Sequence, residues 1–147
     1  AYEATLKRLD SEVEVIGKAC PLFVPLVEEG RFRKGDIVIE TVAREYLEPL
    51  KESGIDTLIL GCTHYPLLTE VVAEIMGPDV TLVSAGEESA FELKRMLKAN
   101  GLRADENRQG EAEFFVSDRA EDFERIASVF LQEDLRRAAR RIDIDQY

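Results

Sequence analysis

Leu58-Ile59-Leu60-Gly61-Cys62-Thr63-His64-Tyr65-Pro66-Leu67-Leu68 carries an apolar strand through a Cys-Thr-His turn into a helix, and it contains the only histidine of the chain. Thr57 to Leu60 has the apolar, partly β-branched composition of a strand buried on both faces. Pro66 suits the first turn of a helix, where its missing N–H costs nothing, and Leu67, Leu68, Val71, Val72 and Ile75 continue an apolar face. Cys62 is therefore expected at a strand's carboxyl end and a helix's amino end. Ligands of open parallel α/β sheets bind at that edge. Unpaired N–H groups and the positive helix end favour an anion there, whether a substrate carboxylate or a cysteine thiolate. A thiolate is a usable base or nucleophile. A free cysteine is equally at home as a small buried hydrophobe, and a histidine at a strand end is often only hydrogen-bonded structure. The residue types alone leave both readings open.

Working outward, helices and strands alternate, which predicts a parallel sheet flanked by helices. Tyr2–Leu9 reads as the end of a helix and Val13–Ile16 as a strand. Pro21–Glu29 reads as a short helix stopped by Gly30, and Asp36 as the cap of a longer helix that Pro49 bends or ends before Gly54. A strand is expected over 57–61, a helix over 65–76, a turn at Gly77-Pro78, a strand over 80–84, and a helix from Glu88 to Ala99 closed by Asn100-Gly101. Arg103–Gly110 is a polar loop, Glu113–Val116 the one strand after it, and Asp118 with Glu121 a capping-box-like helix start. Phe123, Ile126, Ala127, Phe130 and Leu131 form an apolar stripe at helical spacing that reads as core. Arg136, Arg137, Arg140 and Arg141 read as a basic cluster on the last helix, favourable near a carboxyl end.

The string from Leu60 to Leu68 resembles the signature of bacterial glutamate racemases, within the aspartate/glutamate racemase family. In that family the matching cysteine is one of two catalytic cysteines, and the threonine and histidine lie at the substrate. Related aspartate racemases resemble this chain less at one position, with a glutamate where His64 stands. Ala19-Cys20-Pro21-Leu22-Phe23-Val24-Pro25-Leu26-Val27-Glu28 resembles a second family segment. Ser84-Ala85-Gly86-Glu87-Glu88 is similar to the family's crossing back to the first domain, and Arg141-Ile142-Asp143-Ile144-Asp145 to its carboxyl terminus. The family's Asp-Ser-Gly turn, Pro-Tyr-Gly loop and Cys-Asn-Thr, which carries the other catalytic cysteine, have no counterpart in these 147 residues.

The resemblance implies an aspartate/glutamate racemase-like α/β fold, incomplete at the amino terminus. Residues 1–86 would form most of the second domain, and residues 87–147 would return to a first domain that is mostly missing. It implies a cofactor-independent isomerase that interconverts L- and D-glutamate for peptidoglycan, hence cell-wall biogenesis and cell shape. Cys62 would be one acid/base, and His64 the group that tunes and reprotonates it. Thr63 and His64 would bind substrate, and Glu28 would stand near the catalytic histidine. An aspartate racemase relative, or a non-catalytic remnant that binds an amino acid or a partner, is the alternative.

Independently of the family, inversion at a stereocentre needs one group to remove a proton from one face and another to deliver a proton to the opposite face. Only one such constellation is visible, because Cys20 has no second histidine beside it and reads as a buried hydrophobe. The isolated chain is therefore expected to be inactive. Cys20, Cys62 and His64 would make a three-ligand zinc set, but their wide spacing disfavours it, and no metal is expected.

A formal charge of −11 opposes nucleic-acid or anionic-membrane partners. No apolar run approaches a membrane span, no signal peptide opens the chain, and two distant cysteines are too few for a secreted disulfide framework. The default is the cytoplasm, with a small-molecule substrate and a homodimer as a compatible assembly. No nucleotide fingerprint or glycine-rich phosphate loop is present.

Overall fold

The computed structural model describes residues 2–144 except 106, 109 and 137. These divide into two compact units, Ala1–Glu92 and Leu93–Tyr147. Both are parallel α/β, in agreement with the sequence reading. No helix among the described residues is long and apolar enough to cross a membrane.

The first unit begins with α1 (Tyr2–Leu9), α2 (Phe23–Glu28) and α3 (Ile37–Glu52). Strand β1 (Thr57–Leu60) leads through a 3-10 turn (Tyr65–Leu68) into α4 (Thr69–Met76), and β2 (Thr81–Ser84) follows. β1 and β2 pair in parallel, with Thr57 opposite Thr81 and Leu60 opposite Ser84. The expected helix over 65–76 is thus two pieces, with Pro66 in the 3-10 turn.

Local chemistry sets several ends. Asp36 caps α3 as predicted, its carboxylate accepting from the Val38 N–H at 3.0 Å. Gly30, at φ +78°, closes α2: its N–H reaches the Val27 carbonyl at 2.9 Å, and the Arg31 N–H reaches the Leu26 carbonyl at 2.8 Å. Pro49 does not end α3, which runs on to Glu52. Lys51 donates to the Ile75 carbonyl at 2.8 Å, tying the end of α3 to the last turn of α4. The core lies among these elements. Ile39, Ala43, Leu47 and Leu50 on one face of α3 meet Phe23 and Val27 of α2, Leu60 of β1, Leu68, and Val71, Val72, Ile75 and Met76 of α4.

Two sequence expectations fail here for one reason. Val13–Ile16 is not a strand: no ladder forms along it. It shares with β1 the walls of a groove of about 820 Å³, to which Tyr2 and Leu6 of α1 also contribute. Among the described residues, β1 has a neighbour on one edge only, and its burial runs from an exposed Thr57 through half-buried Leu58 and Ile59 to a buried Leu60. β-branched composition becomes a strand only where a second backbone supplies hydrogen bonds.

α5 (Ala85–Ala99) begins three residues earlier than Glu88, and Gly101 follows it at φ +67°. The second unit contains β3 (Phe114–Val116), α6 (Ala120–Leu131) and β4 (Ala139–Arg141). β4 pairs parallel to β3, with Phe115 opposite Arg140, so this segment supplies two strands and not one. The residues read as a basic helix cluster are elsewhere: Arg140 and Arg141 lie on β4, and Arg136 pairs with Asp134. Hydrogen bonds from Arg136 pull the Asp134 carboxyl down to about 2. Arg137 and Asp145 lie outside the described residues. The capping box is also absent. Arg119 holds the cap position of α6 without a side-chain bond, while Asp118 accepts from the Arg119 N–H at 2.9 Å.

No residue of α6 is fully buried. Phe123, Ile126 and Ala127 are half-covered, Leu131 is 50% exposed, and Phe115 on β3 is 51% exposed. The stripe read as core is therefore incompletely covered within its own unit.

Stability should follow this difference. Leu68→Ala removes a side chain with no exposure and should cost about 2–5 kcal/mol in urea unfolding, whereas Leu131→Ala should cost roughly 1 kcal/mol or less. Hydrogen exchange should show Thr57–Leu60 and α4 amides better protected than those of β3 and α6, and equal strong protection in a monomer would contradict this.

Candidate active site

The turn that follows β1 is built by its own backbone. Gly61 ends the strand where a side chain would crowd the Tyr2 ring, 3.3 Å from the position of a Cβ. The chain then folds back, with the Tyr65 N–H donating to the Cys62 carbonyl at 3.2 Å and the Leu67 N–H to the His64 carbonyl at 3.2 Å. Pro66 has no N–H to offer. The amino end of this helical segment therefore spends its Tyr65 and Leu67 amides internally. An anion held here must draw mainly on side chains and on the amides nearer Cys62.

Three of the four residues named from sequence come into direct contact. His64 Nε2 lies 3.2 Å from Glu28 Oε1, and His64 Nδ1 lies 3.3 Å from Thr63 Oγ1. One proton arrangement satisfies both contacts for a neutral ring: Nε2–H donates to the Glu28 carboxylate, and Nδ1 accepts from the Thr63 hydroxyl. Glu28 reaches the imidazole because α2 ends at that residue and packs against the 3-10 turn that begins just after His64. In that arrangement the carboxylate orients the ring from outside the turn.

Cys62 is a free, half-buried thiol at the head of the same turn. Cys20 differs sharply from it. Its side chain is 8% exposed within the core, and burial pushes its thiol up from the ordinary range, with Lys18 opposing in part. Among the described residues, no group of three or more His, Cys, Asp and Glu side chains is placed to hold a metal ion. Cys20, Cys62 and His64 do not form the zinc set considered from sequence.

Sequence patterns gave no role to Tyr65, which the fold draws into the site. Its hydroxyl donates to the Cys20 carbonyl at 3.4 Å, and its ring meets Phe23 edge-on with centroids 5.4 Å apart. Burial, then the neighbouring Cys20 and Cys62 thiols and Tyr46, hold its phenol above the usual range. The one available signal was an amphipathic ring directly after the only histidine.

Brief iodoacetamide treatment near neutral pH should alkylate Cys62 well before Cys20 in the folded chain, and at comparable rates in urea; Cys20 reacting first in the folded chain would contradict the assignment. Burial disfavours the Cys20 thiolate only in the folded state, so the unfolded chain gives up that proton first as pH rises past about 8.5. The urea midpoint should consequently decline above that pH, and decline less in Cys20→Ala.

Comparison with known proteins gives this geometry a context. No protein-family model matches the chain. The curated glutamate racemase of Geobacter metallireducens is 46% identical over 131 residues, which is 89% of this chain and 48% of that protein. The crystal structure of a glutamate racemase isoform from Bacillus anthracis superposes with a TM-score of 0.83 at 37% identity, covering 97% of this chain and 52% of that one. The Francisella tularensis glutamate racemase, solved in complex with D-glutamate, gives a TM-score of 0.84 at 32% identity over all of this chain and 54% of that one. The chain spans about half the length of the curated relatives it matches, and over that span its sequence and fold are similar to those of glutamate racemases.

Proposed function

We propose that this chain is the portion of a cofactor-independent glutamate racemase that carries one of its two acid/base groups, Cys62. The observation that carries the reading is the Thr63–His64–Glu28 contact array beside a free thiol, in a chain 46% identical to a glutamate racemase. The α-hydrogen of an amino acid is a weak acid. Its removal needs a base on one face, and inversion needs a proton donor on the other. In the proposed reaction the Cys62 thiolate takes the α-proton and becomes a thiol, the electron pair passes into the adjacent carboxylate, and a second thiol protonates the opposite face. The reverse direction exchanges the two roles. His64 returns Cys62 to the required protonation state, with Glu28 holding the imidazole so that it can gain and lose a proton. Thr63 is exposed on the same turn, and we assign its hydroxyl and the nearby amides to the substrate carboxylate.

The two cysteines in these residues are Cys20 and Cys62, and Cys20 is buried in the core, where burial raises its thiol above the ordinary range. We assign the second thiol to a segment outside these 147 residues. In the same reading, residues 1–86 belong to one domain and residues 87–147 return to the other, where the half-covered α6 stripe would find the rest of its sheet. The whole protein works in the cytoplasm, as a homodimer, supplying D-glutamate to cell-wall peptidoglycan. The absence of a membrane-spanning helix among the described residues and the formal charge of −11 are compatible with that setting.

The test is the decay of the circular-dichroism signal of D-glutamate. The 147-residue chain alone should give no decay above background. With the remainder of a homologous racemase supplied, decay should return and should vanish in Cys62→Ala. His64→Asn and Glu28→Ala should slow the complemented enzyme by about 10²-fold or more, the range of a lost acid/base group. Decay that scales with the amount of this chain alone and is lost in Cys62→Ala would overturn the two-part reading.

A further inference from the structure

We propose that Tyr65 is a positioning residue that latches the Cys62–His64 turn to α2 and so holds Glu28 at the imidazole. This rests on the reading of His64 and Glu28 as acid/base partners, and it adds the device that keeps them together.

The turn belongs to the connection after β1, whereas Glu28 belongs to a helix of six residues, too short to hold a position without tertiary contacts. The backbone bonds that close the turn run within it, and those that close α2 run to Gly30 and Arg31, so neither set joins one element to the other. Tyr65 supplies two links. Its ring stands edge-on against Phe23 at an interplanar angle of 86°, and its hydroxyl donates to the Cys20 carbonyl just before α2. Phe23 is 2% exposed and also meets Tyr46 of α3 edge-on at 5.4 Å, so the receiving side of the latch is fixed in the core.

The geometry of the chain makes the coupling direct. Tyr65 is the residue after His64, so anchoring its side chain restrains the shared backbone and with it the displacement of the imidazole. Phe23 and Glu28 are the first and last residues of α2, so a contact that pins the helix start limits the swing of the carboxylate at its end. The hydroxyl bond, at 3.4 Å, is long, and the ring contact is therefore the larger part of the latch. Tyr65 touches neither a reacting atom nor a substrate in this scheme, and it acts through His64.

His64 is the only histidine, so the ring-¹⁵N-labelled chain gives one set of imidazole signals, and a long-range ¹H–¹⁵N correlation reads which nitrogen carries the proton. The unsubstituted chain should show mainly the Nε2–H form, and Glu28→Ala should move it toward a mixture. Tyr65→Leu should produce at least half of the Glu28→Ala change, whereas Tyr65→Phe, which keeps the ring, should retain most of the original signature. Phe23→Leu should move the signals in the same direction, and the double variant Phe23→Leu/Tyr65→Leu should move them little further. Far-UV circular dichroism identifies any variant that fails to fold. If Tyr65→Leu does so, Phe23→Leu with Tyr65→Phe decides the matter. Unchanged signals in the folded Leu variants, or fully additive shifts, would overturn the latch. The measurement needs no turnover, so an inactive enzyme with an intact signature would count against the racemase reading and not against the latch.

Discussion

Two parallel strands cannot be joined by a tight turn, and the first unit is organised by that constraint. The end of β1 must be carried over the sheet before β2 can lie beside it, and the carrier here is the 3-10 turn and α4. Packing this crossover against α3 encloses Leu68, Val71, Val72, Ile75 and Met76 with Ile39, Ala43, Leu47 and Leu50, and the Lys51 bond to the Ile75 carbonyl closes its far end. The Cys62–His64 turn is simply the point at which the chain leaves the sheet. It is partly exposed because the crossover has not yet begun to pack, and it is well placed because Leu68, Val71, Val72, Ile75 and Met76 after it are buried.

The proposed acid/base geometry asks more of the fold than this crossover can give. A turn can present a thiol, a hydroxyl and an imidazole, but it cannot present a carboxylate that orients the imidazole from outside. That group arrives on α2, which is tied to the core by Phe23 and Val27 and ended by Gly30. The site is therefore a junction between a local element and a distant one. Its precision depends on aromatic packing rather than on backbone pairing, since Phe23 stands between Tyr46 and Tyr65.

What could be read from residues alone follows the same division. The Asp36 cap and the Gly30 stop are chemistry within a few residues, and both were legible. So was the β1-to-α4 passage, because Pro66 and the apolar spacing after it are local. Val13–Ile16 misled because a strand is a relation between two backbones, and among the described residues no second backbone pairs with it. Ala139–Arg141 escaped notice for the opposite reason: its composition carries no apolar alternation, yet it finds β3 beside it. The meeting of Glu28 with His64 came from family resemblance and not from spacing, since no periodicity links positions so far apart. Tyr65 lay in plain view within the motif, but its role depends on which ring it meets.

The unpaired side of β1 has a meaning for how copies of this chain behave toward one another. Among the described residues no strand lies along the second edge of β1, and a strand edge beside a groove is a template for any extended segment that reaches it, including one from a neighbouring molecule. What holds neighbours apart is the formal charge of −11, a long-range repulsion that salt weakens once the screening length falls to about 10 Å near 0.1 M. Colloidal behaviour is thus set by a contest between a short-range adhesive edge and a screened repulsion, and ionic strength is the variable that decides it.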